Sequence, residues 1–247
     1  MIKSSLHLLL MCCIGFACNA QAAEPDWSAY KTLLAHYVKP GQIDGVTLNT
    51  VNYNALRQDP LWPQAVSTVE KFPVDLLQTR DERLAFYINA YNILAMKMVL
   101  DHWPVHSIKD AGHWYSPVWK KEAGTLGGKP VTLQQVEDDL LRSEKEPRIH
   151  MAIVCASVSC PDLRAEPYRA ATLSQQLDDQ ARRFLDNSGK GLRLDGSTAH
   201  VSKIFHWFRD DFNVEGGVEA FIRRYHPLPA AVTIDADMDY NWQLNGG

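Results

Sequence analysis

Apolar side chains recur at helical spacing along much of the chain, and short β-like runs interrupt them. "DWSAYKTLLAHYV" reads as a helix that Pro40-Gly41 ends, and "VNYNALRQDPLWPQAVSTVEKFP" as two short helices broken at Pro60 and closed near Pro73. The strongest helical pattern is "TRDERLAFYINAYNILAMKMVLDHWP". In it Leu84, Tyr87, Ile88, Tyr91, Ala95 and Met98 share one face, Asp81 and Glu82 suit the positive N-terminal end, and Pro104 is the stop.

The middle of the chain is more irregular. Gly127-Gly128, inside the aromatic and glycine-rich "GHWYSPVWKKEAGTLGGKPVTL", marks a hairpin turn. Thr132 and Gln135 are spaced as a capping box for the helix "LQQVEDDLLRS", and Thr172 with Gln175 repeats that spacing before "LSQQLDDQARRFLDN". Between these helices, "RIHMAIVC" reads as a buried strand following Pro147. "GLRLDGSTAHVS" reads as a strand pair turning at Asp195-Gly196. The helices "KIFHWFRDDF" and "VEAFIRRYH" follow, then a short strand at "AAVTI". The pattern predicts an α+β fold: a mainly helical single domain over residues 23–247 with a small, mostly antiparallel sheet. No linker or internal repeat divides it.

The first residues do not fit that domain. Lys3 is followed by an apolar stretch from Leu6 to Ala17 and by "AQA" at Ala20–Ala22, the three-part pattern of a secretory signal peptide over residues 1–22. The apolar core is too short to span a bilayer, and no later segment is long and apolar enough for stable membrane insertion. Cys18 follows Gly-Phe-Ala rather than the leucine of a lipoprotein site. The expectation is a periplasmic or secreted protein cleaved near Ala22, leaving about 225 residues, ample for one core. The formal charge of −4 becomes one unit more negative without Lys3, which argues against nucleic acid as a partner.

Loss of the leader also removes Cys12, Cys13 and Cys18, so Cys155 and Cys160 in "RIHMAIVCASVSCPDLR" hold all the remaining sulfur. Three uses compete. A disulfide requires Cα atoms within roughly 7 Å, whereas five extended steps cover about 16 Å, so the chain must double back. Ser157, Ser159 and Pro161 permit this, and an oxidising compartment favours it. A zinc site lacks a second pair of ligands, and no metal or cofactor is predicted. The third use is nucleophilic: Cys155 ends an apolar run and opens a small-residue loop. It would need a base to form a thiolate, from His150 or otherwise from His200, His206 or His113.

Other chemistry is absent or ambiguous. There is no Gly-x-Ser-x-Gly, phosphate-loop or His-Glu-x-x-His signature. Asn89 and Asn92 lie three apart among large apolar residues, where a buried amide must have its hydrogen bonds met. They either cap nearby backbone or serve a site, with Asn89 orienting an imidazole and Asn92 meeting substrate beside Tyr91. Trp114, Trp119, Trp207 and Trp242 are either core or a ligand-binding surface, with Trp207 a candidate contact.

The segments "DERLAFYINAYNILAMKMVL", "GGKPVTLQQVEDDLLR", "RIHMAIVCASVSCPDLR", "SKIFHWFRDDF" and "DYNWQLN" together resemble the DUF547 family, a domain of unknown function, from about Val51 onward. The resemblance implies that Cys155 matters more than Cys160, since related plant sequences keep the first and often have serine or aspartate at the second. It also carries over Glu137, although Asp138 stands where the family commonly has histidine. The order of helix, His and Cys further resembles papain-like and transglutaminase-like thiol enzymes, at the level of fold analogy.

Two functions therefore follow as expectations. In one, Cys155 is the nucleophile of an acyl-transferring or amide-hydrolysing enzyme, His150 its base, and Asn89 or Glu137 the orienting group. In the other, Cys155 and Cys160 form a structural disulfide, and the protein binds a peptide or small molecule without catalysis. The first is favoured, with Cys155 free and Cys160 not bridged to it.

Overall fold

A computed structural model describes residues 24–247 of the chain. The expected leader, with Cys12, Cys13 and Cys18, lies outside the described residues. Three small sheets surround a mainly helical body, as an α+β fold requires; a papain-like plan is not established.

The N-terminal part runs α1 (Ser28–Tyr37), β1 (Val38–Ile43), β2 (Val46–Val51), α2 (Tyr53–Leu56) and α3 (Trp62–Lys71). Pro40-Gly41 does not end the helix as expected. Tyr37 does, and Pro40 and Gly41 lie within β1, opposite Asn49 and Leu48 of antiparallel β2. The turn is Asp44-Gly45, with φ of 50° and 81°, the left-handed pair that a two-residue hairpin demands.

The next helix, α4 (Arg80–Asp101), is the hub. Its N-terminus is closed by a full capping box: the Glu82 N–H donates to the Thr79 hydroxyl, and the Glu82 carboxylate accepts from the Thr79 N–H. Instead of one apolar stripe it is buried nearly all round, from Leu84 through Val99, because α1, α3, the hairpin β3–β4 (Glu122–Leu126, Lys129–Thr132) and the later loops cover every side. The hairpin turns at Gly127-Gly128 as predicted. Thr132 and Gln135 form their capping box at α5 (Leu133–Gln135), but the helix continues as a π-helical stretch, Val136–Leu141.

Beyond it the expected strand "RIHMAIVC" does not exist. Pro147–Met151 is a 3₁₀ turn, and residues 152–155 run without a sheet partner. A side chain of α4 meets the Ala152 carbonyl and the Val154 N–H instead, and the Ala152 and Ile153 N–H groups bond back to the Ile149 carbonyl. α6 (Leu173–Leu185) begins without a side-chain cap; the Thr172 hydroxyl meets the Gln176 amide oxygen rather than closing a box. The last sheet is β5 (Leu192–Asp195), β6 (Thr198–Ser202) and β7 (Thr233–Met238), with β6–β7 parallel because α7 (Ile204–Trp207) and α8 (Val218–Tyr225) form the crossover.

Two apolar cores result. One encloses α4, and the other gathers Phe184, Phe205, Phe212, Phe221 and Ile222 between α6, β6 and α8. Tyr240, in the C-terminal segment, packs against both. The cleft described next opens along this seam. Among the described residues, no helix is long and apolar enough to cross a membrane.

Candidate functional site

A cleft of about 410 Å³ lies at the seam. Its walls are mostly aromatic or aliphatic: Tyr91, Trp119, Ile153, Ile204, Trp207, Phe208, Tyr240 and Trp242. Lys120, Gln134, Glu137, Asp138, His150, Cys155 and Cys160 supply the polar and sulfur groups. The aromatic rings support one another. Trp207 stacks on Trp242 at 5.9 Å, Tyr240 lies 4.5 Å from Trp242 and 4.9 Å from Trp207, and Lys109 caps the Trp242 face at 3.7 Å.

Cys155 and Cys160 are joined as a disulfide, with Cα atoms 6.2 Å apart. The free Cys155 expected from sequence is therefore not what the structure contains. The chain doubles back because Ala156 takes a left-handed conformation, φ 57°, a rare one for a residue with a Cβ. The C-terminal segment straps the loop from outside. The Val158 N–H donates to the Gln243 carbonyl (2.9 Å), Asn245 N–H to the Ala156 carbonyl (3.0 Å), and Asn241 N–H to the Ser159 hydroxyl (2.8 Å). Within the loop, the Ser157 hydroxyl donates to the Tyr240 oxygen (3.4 Å), and Tyr240 stands 3.3 Å from the Cys155 sulfur.

His150 projects from the 3₁₀ turn into the seam, stacked on Phe208 at 4.1 Å. Its Nε2 lies 2.8 Å from an Asp211 carboxylate oxygen, and Arg142 grips the same carboxylate with two bonds of 2.6 and 2.9 Å. Burial opposes the charge on Asp211, but the His150 and Arg142 bonds outweigh it and hold the carboxyl well below its ordinary range. Burial likewise pushes the imidazole down, more strongly than Asp211 lifts it. A neutral ring beside an ionised carboxylate keeps its proton on Nε2, so Nδ1 holds a lone pair. That Nδ1 is buried without a hydrogen-bond partner. No hydrogen bond joins His150 to Cys155.

Glu137 sits in the π-helical stretch, a local geometry often found at functional sites. Burial, reinforced by the neighbouring Asp138 charge, raises its carboxyl to about 7, and the Tyr91 hydroxyl lies beside it. The side chain keeps some surface open to the cleft, so a ligand can reach it.

Both asparagines prove to be backbone clamps. Asn89 donates to the Tyr168 carbonyl (2.8 Å) and accepts from the Tyr168 N–H (2.9 Å). Asn92 donates to the Ala152 carbonyl (3.1 Å) and accepts from the Val154 N–H (2.8 Å). With both ends of each amide satisfied, Asn89 does not orient the imidazole and Asn92 does not line the cleft. The orienting group is Asp211, which sequence reasoning missed because "FRDDF" offers only an acidic pair on a short helix. Tyr240 was missed also, although it lies in the quoted "DYNWQLN". The structure thus brings together Cys155, Cys160, His150, Glu137, Tyr91 and Trp207 of the expected residues. Trp119 and Trp242 join them, whereas Trp114 is exposed elsewhere. His113 and His200 take no part; the latter bonds Asp237 at 2.9 Å. Among the described residues, no group of three His, Cys, Asp or Glu side chains is placed to hold a metal.

Residues 74–185 match the model of the DUF547 family, described as a protein of unknown function. That match holds α4, Glu137, His150 and both cysteines, and leaves Asp211, Tyr240 and Trp242 outside. No curated protein and no solved structure matches the chain.

Proposed function

We propose that this DUF547 chain is an exported binding protein, whose seam cleft takes a peptide segment or small molecule with a flat apolar body. The observation that carries this reading is the convergence of Trp119, Trp207, Trp242 and Tyr240 around a cleft of ordinary ligand size, with few polar groups among them. Those groups point to a ligand with two handles. The partnerless Nδ1 of His150 calls for an N–H or O–H donor, and Glu137, half protonated near neutrality, can donate to a carbonyl. Export, suggested by the leader-like first residues, fits a persistent disulfide. Tryptophan emission reports occupancy directly. N-acyl aromatic amino acids and short aromatic peptides should shift it saturably, and Trp207→Ala should weaken binding by about tenfold while leaving the far-ultraviolet spectrum unchanged. A panel that produced no saturable shift and no rise in melting temperature would sink the reading.

One arrangement favours a second reading, acyl transfer by Cys155. An imidazole held by a carboxylate, with its other nitrogen free, is what a thiol enzyme uses as base, and His150 lines the same cleft as the sulfur. The bridge must first be reduced. In reduced protein, iodoacetamide should then alkylate Cys155 with an apparent pKa below about 8.5, and His150→Ala should move that pKa upward. Identical profiles for the two proteins would remove His150 from any such role.

A further inference from the structure

The Cys155–Cys160 bond is not needed to hold its own loop. Only four residues separate the cysteines, so the chain entropy that the bridge removes is small. The loop is also fixed independently, by Asn92 before it and by the main chain of residues 241–245 outside it, which bonds the loop's main chain and the Ser159 hydroxyl. Opening the bond would leave the loop standing. Yet both cysteines line the cleft, where a staple would gain nothing by being.

The surroundings of the two sulfurs differ. Cys155 Sγ is met by a chain of hydroxyls: Ser157 donates to the Tyr240 oxygen, leaving the Tyr240 O–H free to donate to sulfur 3.3 Å away. The Ser157 oxygen itself lies 3.2 Å from that sulfur. Cys160 Sγ accepts only the Cys155 N–H, at 2.8 Å. The Tyr240 O–H, itself polarised by the Ser157 bond and aimed at the Cys155 sulfur, favours the negative charge that would form there, which makes Cys155 the better leaving group and Cys160 the atom to be attacked.

We propose that this bond is a thiol–disulfide exchange site for a thiol carried on an aromatic or apolar body that seats in the cleft. The ligand thiolate attacks Cys160 Sγ and forms a mixed disulfide. The S–S electron pair departs to Cys155, whose thiolate accepts the Tyr240 hydrogen bond. A second ligand thiol, attacking the mixed disulfide at the ligand's sulfur, releases ligand disulfide and leaves Cys160 reduced. Two thiols are thereby oxidised, the bridge gains two electrons, and the two thiol protons end on the cysteines. The choice of an aromatic body rests on the binding reading; the exchange step itself does not.

The oxidised mature protein is incubated with benzyl mercaptan, and separately with mercaptoethanol, an alkyl thiol of similar basicity, then quenched with N-ethylmaleimide to trap the freed thiol, and adducts are mapped by mass. Expected is a mixed disulfide on Cys160, formed at least about tenfold faster with benzyl mercaptan than with mercaptoethanol, whose own rate sets the reference for a non-aromatic thiol. Tyr240→Phe should slow it about tenfold, and Ser157→Ala should slow it less. In Cys160→Ser protein, which has no bridge to open, the Cys155 thiol should titrate below about 8.5 and rise when Tyr240→Phe is added. That measurement stands even if the single Tyr240 variant folds poorly. No adduct from either thiol, an adduct on Cys155, or a rate untouched by both hydroxyl variants would overturn the exchange site. Adducts on Cys160 at equal rates from both thiols, with tryptophan emission unchanged by benzyl alcohol, would overturn the aromatic ligand class and with it the binding reading, while the exchange step remained.

Discussion

At the scale of single residues, the cleft holds two titrating groups displaced in opposite senses of charge. His150 is kept neutral by burial, and Glu137 is pushed toward its neutral form for the same reason. For Glu137 the folded value is about 7 against an ordinary 4.5, so between those limits the folded state holds more of the proton than the unfolded chain does. Stability attributable to this group is therefore present at low pH and is lost as pH rises through about 7. The cost at pH 8 is on the order of 2 kcal/mol, allowing for water at the mouth of the cleft. Glu137→Gln removes the titration. The variant should melt higher than the parent at pH 8, with the gap closing as pH falls toward 5. A gap that stayed constant across that range, or opened toward acid, would mean the carboxyl is not held neutral by its surroundings.

At the scale of elements, what sequence showed and what it hid divide along a physical line. Several local signals were legible: the Thr132 cap, the pause at Pro60, the hairpin at Gly127-Gly128 and the turn at Asp195-Gly196 all rest on residues a few positions apart, whereas the Thr79 box was passed over and the Thr172 spacing closed no box. Elements whose backbone is satisfied from far away were not. "RIHMAIVC" has the composition of a strand, but its first part bonds within a 3₁₀ turn and the Ala152 carbonyl and Val154 N–H go to Asn92, some sixty positions back, so the apolar run needs no sheet. The first hairpin could have been read, since Asp44-Gly45 is a strong turn signal, but Pro40-Gly41 drew attention as a helix stop. Nothing in "VEDDLL" announces a π-helical stretch. The same line runs through the site. Cys155, His150 and Glu137 stood out by residue type, whereas Asp211 and Tyr240 acquire meaning only when α7, its following turn and the chain end fold back onto them. Both asparagines were recognised as buried anomalies; the bland use, clamping backbone, is the one the structure shows.

At the scale of the whole molecule, the C-terminal segment is what turns two cores into one cleft. Tyr240 touches both cores, Trp242 completes the aromatic wall, and the backbone from Asn241 to Asn245 fixes the cysteine loop. The segment is itself anchored at its end. The Gly247 N–H donates to the Val51 carbonyl at 3.1 Å, the Val51 N–H donates to the Asn245 carbonyl at 3.1 Å, and Tyr53 donates to the Asn245 side chain at 2.8 Å. Gly246 passes so close to Val51 that a Cβ placed there would run into the Val51 main chain, which no rotamer change can relieve. Gly246→Ala should therefore lift the end of the strap, loosening Leu244 and Val51 at the rim of the α4 core and leaving the second core intact. The expected loss is about 1–3 kcal/mol of stability, within the range of a close-approach defect. Two further changes should accompany it: a red shift of tryptophan emission as Trp242 meets water, and faster opening of the Cys155–Cys160 bond by dithiothreitol. The far-ultraviolet spectrum should hold, since α4 and α6 are packed by other contacts. If Gly246→Ala melted with the parent and its disulfide opened no faster, the strap would be a passenger on the fold, and the cleft would have to be held open by the two cores alone.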